Sequence, residues 1–181
     1  MNYRKHKEKW QNCERCALCT RRKNVVLCRG RLPCDVLFIG EAPGQSEDVL
    51  GKPFVGPAGK LLDSIIEEAI DGQFDYALTN VVACIPLDEN GDKMSEPPEE
   101  AIKACNERLL ELMTMANPKL CVAVGKIPAK WVPKLTGYGQ HENLIAITHP
   151  AAILRMDVSQ QGLAIQRCVA AIEAALDGIE V

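Results

Sequence analysis

Four short apolar runs, separated by segments of helical pattern, restrict this chain more than any other feature. DVLFIG (35–40), YALTNVV (76–82), LCVAVG (120–125) and NLIAITH (143–149) are apolar nearly throughout and too short for buried helices. That is the pattern of strands covered on both faces. Between them, GKLLDSIIEEAI (59–70) sets Leu61, Leu62, Ile65, Ile66 and Ala69 on one helical face. PPEEAIKACNERLLELMTMA (97–116) opens with proline and acids, which suit a helix N-terminus. A short helix follows the third run, 158–176 reads as a last helix, and roughly 2–12 as a short charged one. This alternation predicts an α/β fold with a parallel sheet between helical layers. A length of 181 residues suits one domain spanning 1–181, with 1–34 as a basic, cysteine-rich arm.

In such sheets the functional site lies beyond the carboxyl ends of the strands. Those ends carry Gly40-Glu41-Ala42-Pro43-Gly44, Thr79-Asn80, Gly125-Lys126 and Thr148-His149-Pro150. Each polar residue has an ordinary structural explanation: Glu41 as a cap, Asn80 in a turn, His149 on the surface. A Glu, an Asn and a His converging on one crevice nevertheless make an enzyme-like set.

Charge is divided unevenly. Residues 1–34 hold ten Lys and Arg against two acids, whereas the rest holds eleven against twenty-two. A basic arm on an acidic body points to a polyanion, or else to a solvated basic helix. No apolar run approaches the roughly 18 residues of a membrane span. The basic start MNYRKHKEKWQNCERC has no apolar stretch behind it, so the expected location is the cytoplasm, with no membrane partner. Nine cysteines in that compartment point to metal binding or catalysis before disulfides.

The loop GEAPGQSEDVLGKPFVGPAGKLLD, followed by TNVVACIP and THPAAILR, resembles the family 4 uracil-DNA glycosylases, the iron–sulfur branch of that superfamily. The likeness runs from Cys13 to about Arg155, with the motifs in the family's order. It implies a three-layer α/β/α fold on a four-stranded parallel sheet, and a monomer that flips uracil out of DNA and hydrolyses its glycosidic bond. It also implies a [4Fe–4S] cluster on Cys13, Cys16, Cys84 and Cys105, although four cysteines would equally suit structural zinc. Cys19 extends the first pair to CxxCxxC and competes as a ligand. Cys121 and Cys168 fit the core, and Cys28 and Cys34 have no evident role.

The resemblance also assigns the pocket. Phe54 becomes the stacking platform and Asn80 the reader of the uracil edge, because its amide donates to O4 and accepts from N3–H. His149 would donate to O2 of the departing base. Glu41 would place the water or stabilise the cationic sugar, with Gly40 and Ala42 beside it. Glu47 would lie at the base or fix the loop, and Asp48 is expected exposed. Ile153 or Leu154 would enter the minor groove as a wedge, with Arg155 on a phosphate or the base stack. The alternative is a helix start packing inward. Lys60 and Lys126 would hold phosphates.

The chain departs from the family at Ala83 and Ile85, where basic residues are usual. A long stretch also separates Cys84 from Cys105, and it is expected to bulge outward through LDENGDKMSEPP. The rival readings are a DNA-binding module of the same fold without activity, a zinc-stabilised enzyme, and a glycosylase for deaminated purines.

Overall fold

The apolar runs become strands. A computed structural model describes residues 2–88, 90–91, 94–137 and 143–179. Its strands β1 (Arg29–Gly30), β2 (Val36–Gly40), β3 (Tyr76–Asn80), β4 (Leu120–Val124) and β5 (Asn143–Ile147) form one sheet in the order β1-β3-β2-β4-β5. β3, β2, β4 and β5 are parallel. Every residue of β2 and β4 is buried, which is why these two central strands read as unbroken apolar runs.

Eight helices flank the sheet among the described residues: α1 (Tyr3–Trp10), α2 (Gln45–Leu50), α3 (Pro57–Ile70), α4 (Glu99–Ala104), α5 (Asn106–Ala116), α6 (Lys126–Thr136), α7 (Pro150–Ile153) and α8 (Val158–Leu176). Successive strand side chains point to opposite faces. Val36, Phe38, Leu78 and Val122 therefore pack with α3 and α8, while Leu37, Ile39, Ala77 and Cys121 pack with α5 and α6. From β2 the chain crosses to β3 on one side and later returns to β4 on the other. The loops after β2 and β4 diverge, leaving a crevice at their carboxyl ends.

Three features differ from the sequence expectations. The sheet has a fifth strand, β1, which pairs antiparallel with β3. There Gly30 takes φ +105°, and a Cβ on it would lie 2.4 Å from the Tyr76 carbonyl oxygen, so only glycine fits this edge. The single helix expected over 97–116 is two, α4 and α5, meeting at Cys105 (φ −84°, ψ −7°). The basic arm, third, spends much of its charge on the body. Lys9 pairs with Glu107 and Glu111, Arg15 with Glu107, Arg29 with Asp63 and Arg31 with Asp75.

Glu111 holds the buried rings of α1. Glu111 on α5 accepts from Trp10 Nε1 at 2.6 Å and faces His6 Nδ1 at 3.2 Å, and both rings are buried. No described helix is long and apolar enough to cross a membrane.

Candidate active site

Strand register builds the floor of the crevice. Gly40 lies opposite Asn80 across β2 and β3, at the last rung of the ladder. A Cβ on Gly40 would sit 2.4 Å from Asn80 Oδ1 and 2.4 Å from Phe54 Cζ. The amide and the ring therefore meet over a space that only glycine leaves open. Asn80 is 2% exposed.

The loop after β2 brings Phe54 to that spot and holds it there. Phe54 takes φ +56°, a conformation costing a non-glycine residue roughly 1–2 kcal/mol. The surrounding hydrogen bonds offset the strain. Glu47 Oε1 accepts from Val55 N (2.9 Å) and Gly56 N (2.8 Å), and its Oε2 accepts from Gly44 N (3.1 Å). Gly59 lets α3 start directly over Phe54, since a Cβ there would lie 2.0 Å from the Phe54 carbonyl oxygen. Glu47 thus stitches the loop through both carboxylate oxygens. α2, which it helps to cap, formed inside a stretch read from sequence as loop.

His149 closes the opposite wall, its ring centroid 6.5 Å from that of Phe54. Its Nδ1 accepts from Ala151 N at 3.1 Å, which assigns the neutral ring's proton to Nε2. Burial, and then the Arg155 charge, hold the imidazole below its ordinary pKa. His149 is therefore a neutral donor. Half-buried Glu41 sits above its ordinary value, through burial first and the Glu96 charge second.

The crevice encloses about 950 Å³. Glu41, Ala42, Glu47, Phe54, Asn80, Lys126, His149 and Arg155 all line it. Lys60 does not; it is exposed on α3. Ile153 corrects an expectation. It is fully buried in the core with α3 and α8, because the one-turn helix α7 carries it inward, so it is no wedge. Leu154, next to it, is 44% exposed. Asp48 is also buried, accepting from the backbone N–H groups of Lys23 and Asn24.

The stretch after Cys84 was expected to bulge outward, but its far end turns back. Leu87 bridges Met94, Ser95 N donates to the Pro86 carbonyl, and Met94, Ser95 and Glu96 form part of the crevice wall. Residues 89, 92 and 93 of that stretch lie outside the described residues. Composition gave no sign that this acidic loop would reach the site.

A second pocket is lined by Val82, Ala83 and Cys84, which follow Asn80 in the chain. Cys13, Cys16, Cys84 and Cys105 all line it, together with Trp10, Arg22 and Arg108. Cys19 is not in its lining. Burial pushes the Cys84 thiol up to about 12, with Arg22 pulling against it. Among the described residues no three or more such groups converge as the ligands of one metal ion would. Arg22 Nη1 and Arg108 Nε are buried without hydrogen-bond partners. Cys28, Cys34, Cys121 and Cys168 sit in the cores, and burial takes the first two up to about 12.

Comparison with known proteins follows the same outline. Residues 29–173 match the model of the uracil DNA glycosylase superfamily. The type-4 uracil-DNA glycosylase of Pyrobaculum aerophilum is 34% identical over 173 residues, covering 86% of each chain. That of Sulfurisphaera tokodaii is 37% identical over 145 residues, which are 80% of this chain and 62% of the longer relative. The crystal structure of Pedobacter heparinus SMUG2 shares the fold at a TM-score of 0.62 and 17% identity, over 79% of this chain and 76% of that one. The chain belongs to the uracil DNA glycosylase superfamily, among its type-4 members.

Proposed function

We propose that this protein removes uracil from DNA as a monofunctional glycosylase, leaving an abasic site for base excision repair. The observation that carries the reading is the meeting of Asn80, Phe54 and His149 around one glycine-floored crevice. A flipped uracil entering there stacks on Phe54 and presents its O4 and N3–H edge to the Asn80 amide. Cytosine carries the opposite donor and acceptor pattern and is refused.

Chemistry follows from charge. The C1′–N1 bond breaks with its electron pair leaving on the base, and negative charge develops at O2. The Nε2–H of neutral His149 donates to that oxygen. Water held by Glu41 adds to C1′, its proton passing through the carboxylate to solvent. Leu154 is the residue left to fill the vacated stack, with Lys126 and Arg155 at the crevice and Lys60 outside it as phosphate contacts.

The cysteine pocket fits a [4Fe–4S] cluster better than zinc. Four thiols surround a cavity and do not converge on a point, and Arg22 and Arg108, each with one buried guanidinium nitrogen that has no hydrogen-bond partner, line the same cavity. When bound, the cluster serves as a structural cross-link between arm and body. We read 1–181 as one domain, acting as a cytoplasmic monomer.

The test is cleavage of a labelled oligonucleotide containing one uracil, with alkali breaking the abasic site, using anaerobically purified protein. Cleavage by the wild type and not by a Glu41→Ala/His149→Ala double variant is the expected result. Cluster-loaded protein that spares uracil, hypoxanthine and xanthine alike would replace this reading with the DNA-binding module.

A further inference from the structure

Arg108 is 1% exposed, yet no carboxylate pairs with it among the described residues. A buried guanidinium without a counter-charge is strongly unfavourable. Its fork is fully committed to one place. Nη2 donates to the carbonyls of Asn80 (2.5 Å) and Val81 (2.8 Å), and Nη1 to Thr79 Oγ1 (3.0 Å). The Thr79 hydroxyl donates onward to the Leu27 carbonyl at 2.7 Å. Nε is buried without a hydrogen-bond partner, and the side chain lines the cysteine pocket. Arg108 follows Cys105 by three positions, so both stand on one face at the start of α5.

We propose that Arg108 is a positioning residue that couples the cysteine site to recognition of the base. Anionic sulfur on the pocket side balances its charge. Its fork fixes the carboxyl end of β3 and so sets where the Asn80 side chain stands. The margin for error there is small, because Asn80 Oδ1 already occupies the space a Gly40 Cβ would need. Lysine cannot substitute, since one ammonium lacks the planar fork that reaches three acceptors and the pocket together. The inference rests on reading the pocket as a cluster site and the crevice as a uracil site.

Coupling of this kind is reciprocal, so occupation of the crevice must steady the cysteine site. The experiment follows iron release to a chelator, anaerobically, from full-length wild-type protein. One arm adds excess oligonucleotide carrying 2′-fluoro-2′-deoxyuridine, which resists cleavage; the other adds the same strand with cytosine at that position. Release is expected to be at least about fivefold slower with the uracil analogue. In Arg108→Lys, release should be faster and the difference between strands lost, with the kcat margin of uracil over cytosine narrowed per iron-loaded enzyme. Equal rates for the two strands in a wild type that holds iron and cleaves uracil overturn this inference alone. A wild type without iron, or one that spares uracil, overturns the parent reading and this inference with it. The wild-type comparison can overturn the inference even if Arg108→Lys fails to fold.

Discussion

At the scale of single residues, protonation states carry the proposed mechanism. His149 must be neutral to accept from Ala151 N and donate from Nε2, and its lowered pKa keeps it so at neutral pH. It gains charge only as pH falls below the ordinary imidazole range. In the proposed mechanism Glu41 acts ionised, and its raised pKa means that it protonates earlier on the way down than an ordinary carboxylate. Activity should therefore fall on the acid side. Glu96→Gln, by removing the like charge, should move the Glu41 limb of the kcat/KM profile to lower pH; an unmoved limb would assign it to His149. His149→Ala should cost about 10²–10³ in kcat, the usual effect of deleting one donor to a developing anion. Single-turnover rates on a uracil oligonucleotide would read that loss directly. Asn80→Asp should narrow the margin of uracil over cytosine.

Elements show where sequence reading works and where it stops. α8 spans 158–176 as its periodicity predicts, and the strand starts and ends fall within a residue or two of the apolar runs. Those signals come from burial against both faces of a sheet, which is written in residue type. α2 and α7 carry no such signal. One begins in a glycine-rich loop and depends on Glu47 bonding the backbone; the other is a single turn behind His149 that draws Ile153 inward. The break at Cys105 has no proline or glycine to mark it. The Glu47 contacts have a measurable value. Glu47→Ala removes the acceptor for three backbone donors, each worth roughly 1 kcal/mol net, so stability should drop by about 2–3 kcal/mol in denaturant titrations. Loss of the Phe54 platform should accompany it, seen as lower kcat.

For the whole molecule, the surface charge needs rereading. Composition set a basic arm against an acidic body, and contact between the two is partly what the charges accomplish. Glu107, beside Arg15 and Lys9, is held down to about 2 by those partners. Among the described residues the cations lining the crevice are Lys126 and Arg155, and Lys60 on α3 is the third proposed phosphate contact. Three phosphate contacts predict that log affinity for DNA falls against log salt with a slope of about −2.7. A much steeper slope would bring further cations of the arm, such as Lys5, Lys7, Arg21 and Lys23, into the footprint. Trp10→Ala should free the arm for proteolysis near 17–24, at about the 3–5 kcal/mol typical of a buried tryptophan.

The positions of the four thiols carry a topological consequence. The proposed cluster, by bridging Cys16 to Cys84, would turn the chain between them into a ring. Glu41, Phe54 and Asn80 lie inside that ring, while His149 lies on the open tail beyond it. Even unfolded, a chain cross-linked in this way would keep the base-reading groups tethered together, a loss of denatured-state freedom worth about 4 kcal/mol for a loop of this length. Without the cross-link, that contribution disappears at once. Iron supply would then govern how many molecules hold a native fold, before any of them meets a damaged strand.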